Sequence, residues 1–115
     1  MTREERALQL WSLLALAANN RQVLTYDIVA RLIGVVRPSI GDFLRPIQQF
    51  CTEAHLPPLT CLVVSEQTGL PGEGFIAAAD VPAAQMQVFQ HRWLEVLAPT
   101  TEQLASAYSR APDRR

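Results

Sequence analysis

The sequence predicts a mainly α domain with a small β-hairpin, a winged helix-turn-helix followed by C-terminal helices. Three observations carry this prediction. Residues 2–51 hold three capped segments whose apolar residues recur at three- and four-residue steps. One apolar run, Leu59–Val64, reads as a buried strand, and a glycine-rich return follows it. Between the second and third helical segments, Ala30, Gly34 and Ile40 are spaced as a helix-turn-helix requires. They supply a small residue at the crossing, a turning residue, and an apolar residue that packs back.

The first helix opens at Thr2-Arg3-Glu4-Glu5, a capping box with Thr2 as N-cap and Glu5 reaching back. Ala7, Leu8, Trp11, Leu14, Ala15 and Ala18 keep helical spacing until the polar break at 19–22. Thr25 caps a short second helix, Tyr26–Ile33, with Ile28, Val29, Leu32 and Ile33 as its apolar side. Gly34 stops it, because glycine tolerates the left-handed backbone of a helix C-terminus. A third helix starts near Pro38, where proline forfeits no hydrogen bond. Ile40, Phe43, Leu44, Ile47 and Phe50 carry its apolar face toward Cys51, and Pro46 must kink or divide it.

Leu56-Pro57-Pro58 closes this helical half. After the strand at Leu59–Val64, Glu66–Gly69 makes a turn. Leu70–Ile76 then returns through Pro71, Gly72 and Gly74 as a weakly paired partner. Asp80 or Val81 caps a fourth helix, along which Met86, Phe89, Trp93, Val96 and Leu97 repeat until Pro99. Thr100–Gln103 opens a last helix with Leu104 and Tyr108 inward, and the chain frays from about Arg110.

A chain of 115 residues, 49% apolar, makes a single domain over 1–115 with its own core. Ten basic and eleven acidic residues nearly cancel, so no global field steers it toward nucleic acid or an anionic membrane. The charge is unevenly spread. Residues 21–45 carry Arg21, Arg31, Arg37 and Arg45 against Asp27 and Asp42, whereas residues 53–102 carry six carboxylates against Arg92. All ten basic residues are arginine, which fits planar phosphate or base contacts and fits a GC-rich genome equally in kind. Cys51 and Cys61 are too few for a disulfide framework and lack Cys-x-x-Cys spacing. With a charged N-terminus and no apolar run of spanning length, the expectation is a cytoplasmic protein with free thiols and no membrane partner.

The third helix would place Arg37, Ser39, Asp42 and Arg45 on exposed positions, the set available to a DNA groove. "LTYDIVARLIGVVRPSIGDFLRPI" followed by "PPLTCLVVSEQTGLPGEGF" resembles the DNA-binding domain of the O6-alkylguanine-DNA alkyltransferases and alkyltransferase-like proteins. That family joins a Thr/Ser-Tyr-x-x-(Val/Ile)-Ala segment and a recognition helix to Pro-Cys-His-Arg-Val-Val and a glycine-rich Leu-Gly-Gly-Tyr segment. The similarity covers residues 24–75, with residues 80–110 as additional helices. It implies that Thr25 and Tyr26 start the first DNA-contacting helix, the tyrosine against a target phosphate. With Val63-Val64 on the family's Val-Val, Thr60 takes the place of the alkyl-accepting cysteine, Cys61 that of the histidine, and Leu62 that of the arginine. Pro38 takes the place of the intercalating arginine, with Arg37 one residue earlier, and the glycine-rich end requires a one-residue gap. These departures argue against both alkyl transfer and base flipping.

The residues themselves agree. A nucleophilic thiol needs a nearby base or cation, whereas Cys61 lies among Leu59, Leu62, Val63 and Val64. Cys51, beside Phe50, belongs to a core face, as does Trp93 with Phe89 and Met86. Gly69, Gly72 and Gly74 lack the following helix of a phosphate loop, and His55 and His91 lack metal-ligand spacing. No catalytic residue, metal or cofactor is assigned. Tyr26 is open to two readings, core packing and phosphate contact. The expected function is a non-enzymatic DNA-binding protein that meets double-stranded DNA through Thr25, Tyr26, Arg37, Ser39 and Arg45, with the 66–74 turn as wing. The alternative is a bacterial or phage protein-interaction module beside a DNA-processing enzyme, with a homodimer or partner face over residues 82–109.

Overall fold

Thr2 and Glu5 form the reciprocal capping box that starts α1 (Arg3–Asn19). The computed structural model describes residues 1–72 and 74–112. Among them it contains four further helices: α2 (Tyr26–Ile33), α3 (Ile40–Glu53), α4 (Val81–Gln90) and α5 (Thr101–Arg110). Single 3-10 turns occupy Arg37–Ser39, Leu59–Leu62 and Trp93–Glu95. The architecture is mainly α. Helix α1 runs through its middle, touching α3, α5, and the second and third of these turns. It buries Ala7, Leu10, Trp11, Leu14, Ala15, Ala17 and Ala18. An apolar surface this wide marks a central helix, and its alanines let neighbours approach closely. Trp11 meets Phe50 and Trp93 edge-to-face, with ring centroids 5.7 and 5.6 Å apart.

The predicted hairpin is absent. Instead, β1 (Leu24–Thr25) pairs in parallel with β2 (Val63–Val64), Leu24 opposite Val63 and Thr25 opposite Val64. Residues Leu59–Leu62, expected within the strand, form a buried 3-10 turn that feeds β2. Among its described residues the return segment makes no second strand, because other groups take its backbone. Gly72 N donates to the Tyr26 hydroxyl, Ile76 N donates to Gln48 Oε1, and Gln48 Nε2 donates to the Gly74 carbonyl. Pro71 contributes no N–H at all. The turn itself is as expected, closed by Gly69 N to Ser65 O and Ser65 N to Leu70 O, both 2.9 Å.

Pro46 neither ends nor divides α3, which continues to Glu53 with Pro46 fully buried. Core packing of Pro46 and Ile47 outweighs the lost intrahelical bond. The fourth helix is shorter than predicted. It stops at Gln90, and His91 turns extended, so Trp93 enters the core from a 3-10 turn with its indole N–H on the Val88 carbonyl at 2.8 Å. Its buried residues are Ala84 and Val88, while Met86, Val96 and Leu97 are exposed. Helix α5 begins with a second capping box, Thr100 and Gln103, and buries Leu104 and Ala107. Ala84, Val88, Trp93 and Leu104 join the same apolar cluster as α1–α3, so the C-terminal helices complete the core. Fraying beyond Arg110 falls, for residues 113–115, outside the described residues. No helix among the described residues is long and apolar enough to cross a membrane.

Candidate nucleic-acid interface

Ala30 and Ile40 are buried, and Gly34 adopts φ 75° while donating its N–H to Ala30 O. The Arg6 guanidinium donates to the Ile33 carbonyl, a cation against the C-terminus of α2. Two of the candidate contact residues serve the backbone here. Thr25 Oγ1 accepts from Ile28 N at 3.2 Å as the N-cap of α2. The Ser39 hydroxyl donates to the Val36 carbonyl at 2.6 Å, closing the 3-10 turn that leads into α3.

Arg37 stands at the start of that turn between two carboxylates, Asp27 at 3.1 Å and Glu66 at 3.0 Å. Its guanidinium carbon lies 5.5 Å from the centre of the Tyr26 ring. Glu66 also accepts from Asp27 N at the first turn of α2, at 3.1 Å. Hydrogen bonds from its own backbone N–H and from Asp27, with Arg37 alongside, hold its carboxyl below the usual range. The expected wing thus lies against α2 through an acid. Both ion pairs are exposed, so solvent and salt screen them and they hold Arg37 only weakly. Tyr26 is half-buried, and its hydroxyl accepts from Gly72 N at 3.1 Å. A Cβ at position 72 would lie 2.6 Å from that hydroxyl, so any larger residue would force the Tyr26 side chain to shift.

Asp42 and Arg45 are not displayed as the helix pattern predicted. They reach across to α5 and the start of α1. Arg45 is 16% exposed, donates to the Tyr108 hydroxyl at 3.0 Å and to the Pro112 carbonyl at 3.2 Å, and covers the Tyr108 ring. Tyr108 donates in turn to Asp42 at 2.7 Å, a bond that raises its phenol's pKa. Arg3 bonds the other Asp42 oxygen at 3.2 Å and stacks 3.7 Å from the Tyr108 ring centre. The inward spacing of Tyr108 after Leu104 was the one sequence sign of this cluster.

A cavity of about 300 Å³ lies between α3, the 59–62 turn and the 71–75 segment. Tyr26, Arg37 and Arg45 all line it, whereas Thr25 and Ser39 do not. Gln48 and Phe75, which sequence reasoning did not place at a site, line it too, as does Thr60, which the resemblance set in the place of the alkyl-accepting cysteine. Thr60 is 4% exposed, and its Oγ1 has no hydrogen-bond partner, nor has Arg45 Nε. The available signal was that Thr60 is the one hydroxyl in the run Leu59–Val64. Cys51 and Cys61 are buried as free thiols, and desolvation pushes both up to about 12. No group of three His, Cys, Asp or Glu among the described residues is placed to hold a metal. Comparison of the chain with protein-family models, curated proteins and solved structures found no match.

Proposed function

We propose that the chain is a non-enzymatic DNA-binding domain that presents the start of α3 to the phosphate backbone. One observation supports this reading above the others. Tyr26, Arg37 and Arg45, from separate segments, converge on one open cleft at the N-terminal end of α3. Arg37 and the Tyr26 hydroxyl are the phosphate ligands of this reading, with Arg31 exposed on the neighbouring helix. A phosphate displaces Asp27 and Glu66 from Arg37 at small cost, because both pairs are solvent-exposed. So few cations make the affinity modest and salt-sensitive. Anisotropy titration of a labelled duplex at low and moderate salt tests the reading. Saturable binding weakened by Arg37→Ala supports it, and no binding at low salt refutes it.

A second reading, a protein-interaction module, is favoured by a different observation. Met86, Leu94, Val96 and Leu97 are all exposed within residues 82–109, Leu97 at 95%. Exposed apolar side chains that make one contiguous patch mark partner faces. Sedimentation of the full chain at micromolar concentration separates the readings. A dimer that Leu97→Glu dissociates, without duplex binding, selects the second.

A further inference from the structure

We propose that the outward face of α2 is a self-association surface, and that its partner is a second copy of this chain docked antiparallel across a two-fold axis. The face uses neither the cleft beside α3 nor residues 82–109, and none of its residues lines the cavity. Helix α2 turns Val29, Ala30 and Ile33 to the core. At about 3.6 residues per turn, Asp27, Ile28, Arg31 and Leu32 fall on the opposite side. All four are exposed, Ile28 at 44% and Leu32 at 58%. The apolar side read from the sequence is thus wider than the part of it that the core covers.

The order of these residues selects the partner. Ile28 and Leu32 form one column along the helix, and Asp27 and Arg31 form a second beside it, each pair four residues apart. A two-fold axis perpendicular to the helix reverses its direction and keeps each column on its own side. Asp27 of each copy then meets Arg31 of the other, and Ile28 of each meets Leu32 of the other. The face is its own complement, as an isologous contact requires. A parallel pairing crosses the columns and sets the charges against apolar side chains. Antiparallel packing also opposes the two helix dipoles favourably. Val23, before the helix, and Val36, after it, are exposed as well, and the same rotation brings the Val23 end of one copy to the Val36 end of the other. The charges are available for this use. Arg31 makes no salt bridge among the described residues. Asp27 pairs only with Arg37, which keeps Glu66 when Asp27 turns to the second copy.

Sedimentation equilibrium of the full chain without nucleic acid, from about 10 μM to about 1 mM, tests this independently of the DNA-binding reading. An eight-residue helix gives a small footprint, about 1,200 Å² or less, so a weak, reversible dimer is expected. Asp27→Lys and Arg31→Glu each place like charges across the axis twice, and each should weaken the dimer at least about tenfold. An equimolar mixture of these two variants has opposite charges at both contacts, and should recover the affinity to within about threefold of the unaltered chain. Leu32→Glu should also dissociate the dimer, with an unchanged circular dichroism spectrum, whereas Leu97→Glu should leave it intact. A chain that stays monomeric throughout the range overturns the proposal. So does a mixture that associates no better than its separate components, or a dimer that Leu97→Glu dissociates and Leu32→Glu does not.

Discussion

The Thr60 hydroxyl is buried among Leu59, Cys61 and Leu62 without a partner, and the folded state carries its desolvation cost. Leaving a donor unpaired costs about 1–3 kcal/mol, and replacing it with a methyl of the same shape removes that cost. Thr60→Val should therefore raise unfolding free energy by about 1 kcal/mol, measured by urea titration. A loss of stability would mean that the hydroxyl has a partner in solution. The neighbouring thiols give a separate test. With Cys51 and Cys61 both pushed up to about 12 by burial, neither carries thiolate near neutral pH. A disulfide reagent at pH 7–8 should titrate no thiol in the native chain and both after denaturation. Rapid native labelling of Cys61 would contradict its burial and reopen the possibility of thiol chemistry.

At the scale of elements, α5 is fastened to the end of α3 by Arg110 and Glu53, through two bonds of 2.7 Å. Those bonds, then one from Gln49, hold the Glu53 carboxyl down to about 2 from an ordinary 4.5. A carboxyl depressed on folding adds stability above its unfolded pKa, and that stability is lost as pH falls through the folded value. The clamp is therefore complete above about pH 4.5 and released toward pH 2. Glu53→Gln should flatten the thermal midpoint across that window, measured by circular dichroism, and should leave lower pH unaffected. Local signals of this kind were legible in the sequence. Thr2, Thr25 and Thr100 cap the helices they were read to cap, and Gly34 ends α2. The β1–β2 pair was not legible, because two-residue strands have too little pattern to announce partners so distant in the chain. Nor was the fate of the return segment, in which Gly72 N, the Gly74 carbonyl and Ile76 N bond the side chains of Tyr26 and Gln48. Of the candidate site, Tyr26, Arg37 and Arg45 could be read from charge and position near helix starts. Gln48 and Phe75 could not, since their cavity exists only once Pro71, Gly72, Gly74 and Phe75 lie beside α3, and Thr60 was marked only by the resemblance that set it in the place of a reactive cysteine.

For the whole molecule, a net charge of −1 means that the proposed duplex binding would depend on local cations and not on attraction at a distance. Each neutralised phosphate contributes about −0.9 to the slope of log affinity against log salt, so two or three contacts give roughly −2 to −3. Glu66 is the charge that most directly opposes this, since it holds Arg37 from the turn expected to act as wing. Glu66→Gln keeps an amide oxygen able to accept from Asp27 N, preserving the tie to α2 while leaving Asp27 as the one carboxylate paired with the guanidinium. It also moves the net charge from −1 to 0. The pair is exposed and weak, so duplex affinity at low salt should rise only modestly, roughly two- to fivefold, and the gain should shrink as salt screens it. Arg37→Ala should weaken binding and make the slope shallower by about one. In the double variant the gain from Glu66→Gln should vanish, because the arginine it acts on is no longer there. A gain that persists without Arg37 would place the DNA elsewhere on the molecule, and equal affinity in all four proteins would remove the start of α3 from the interface.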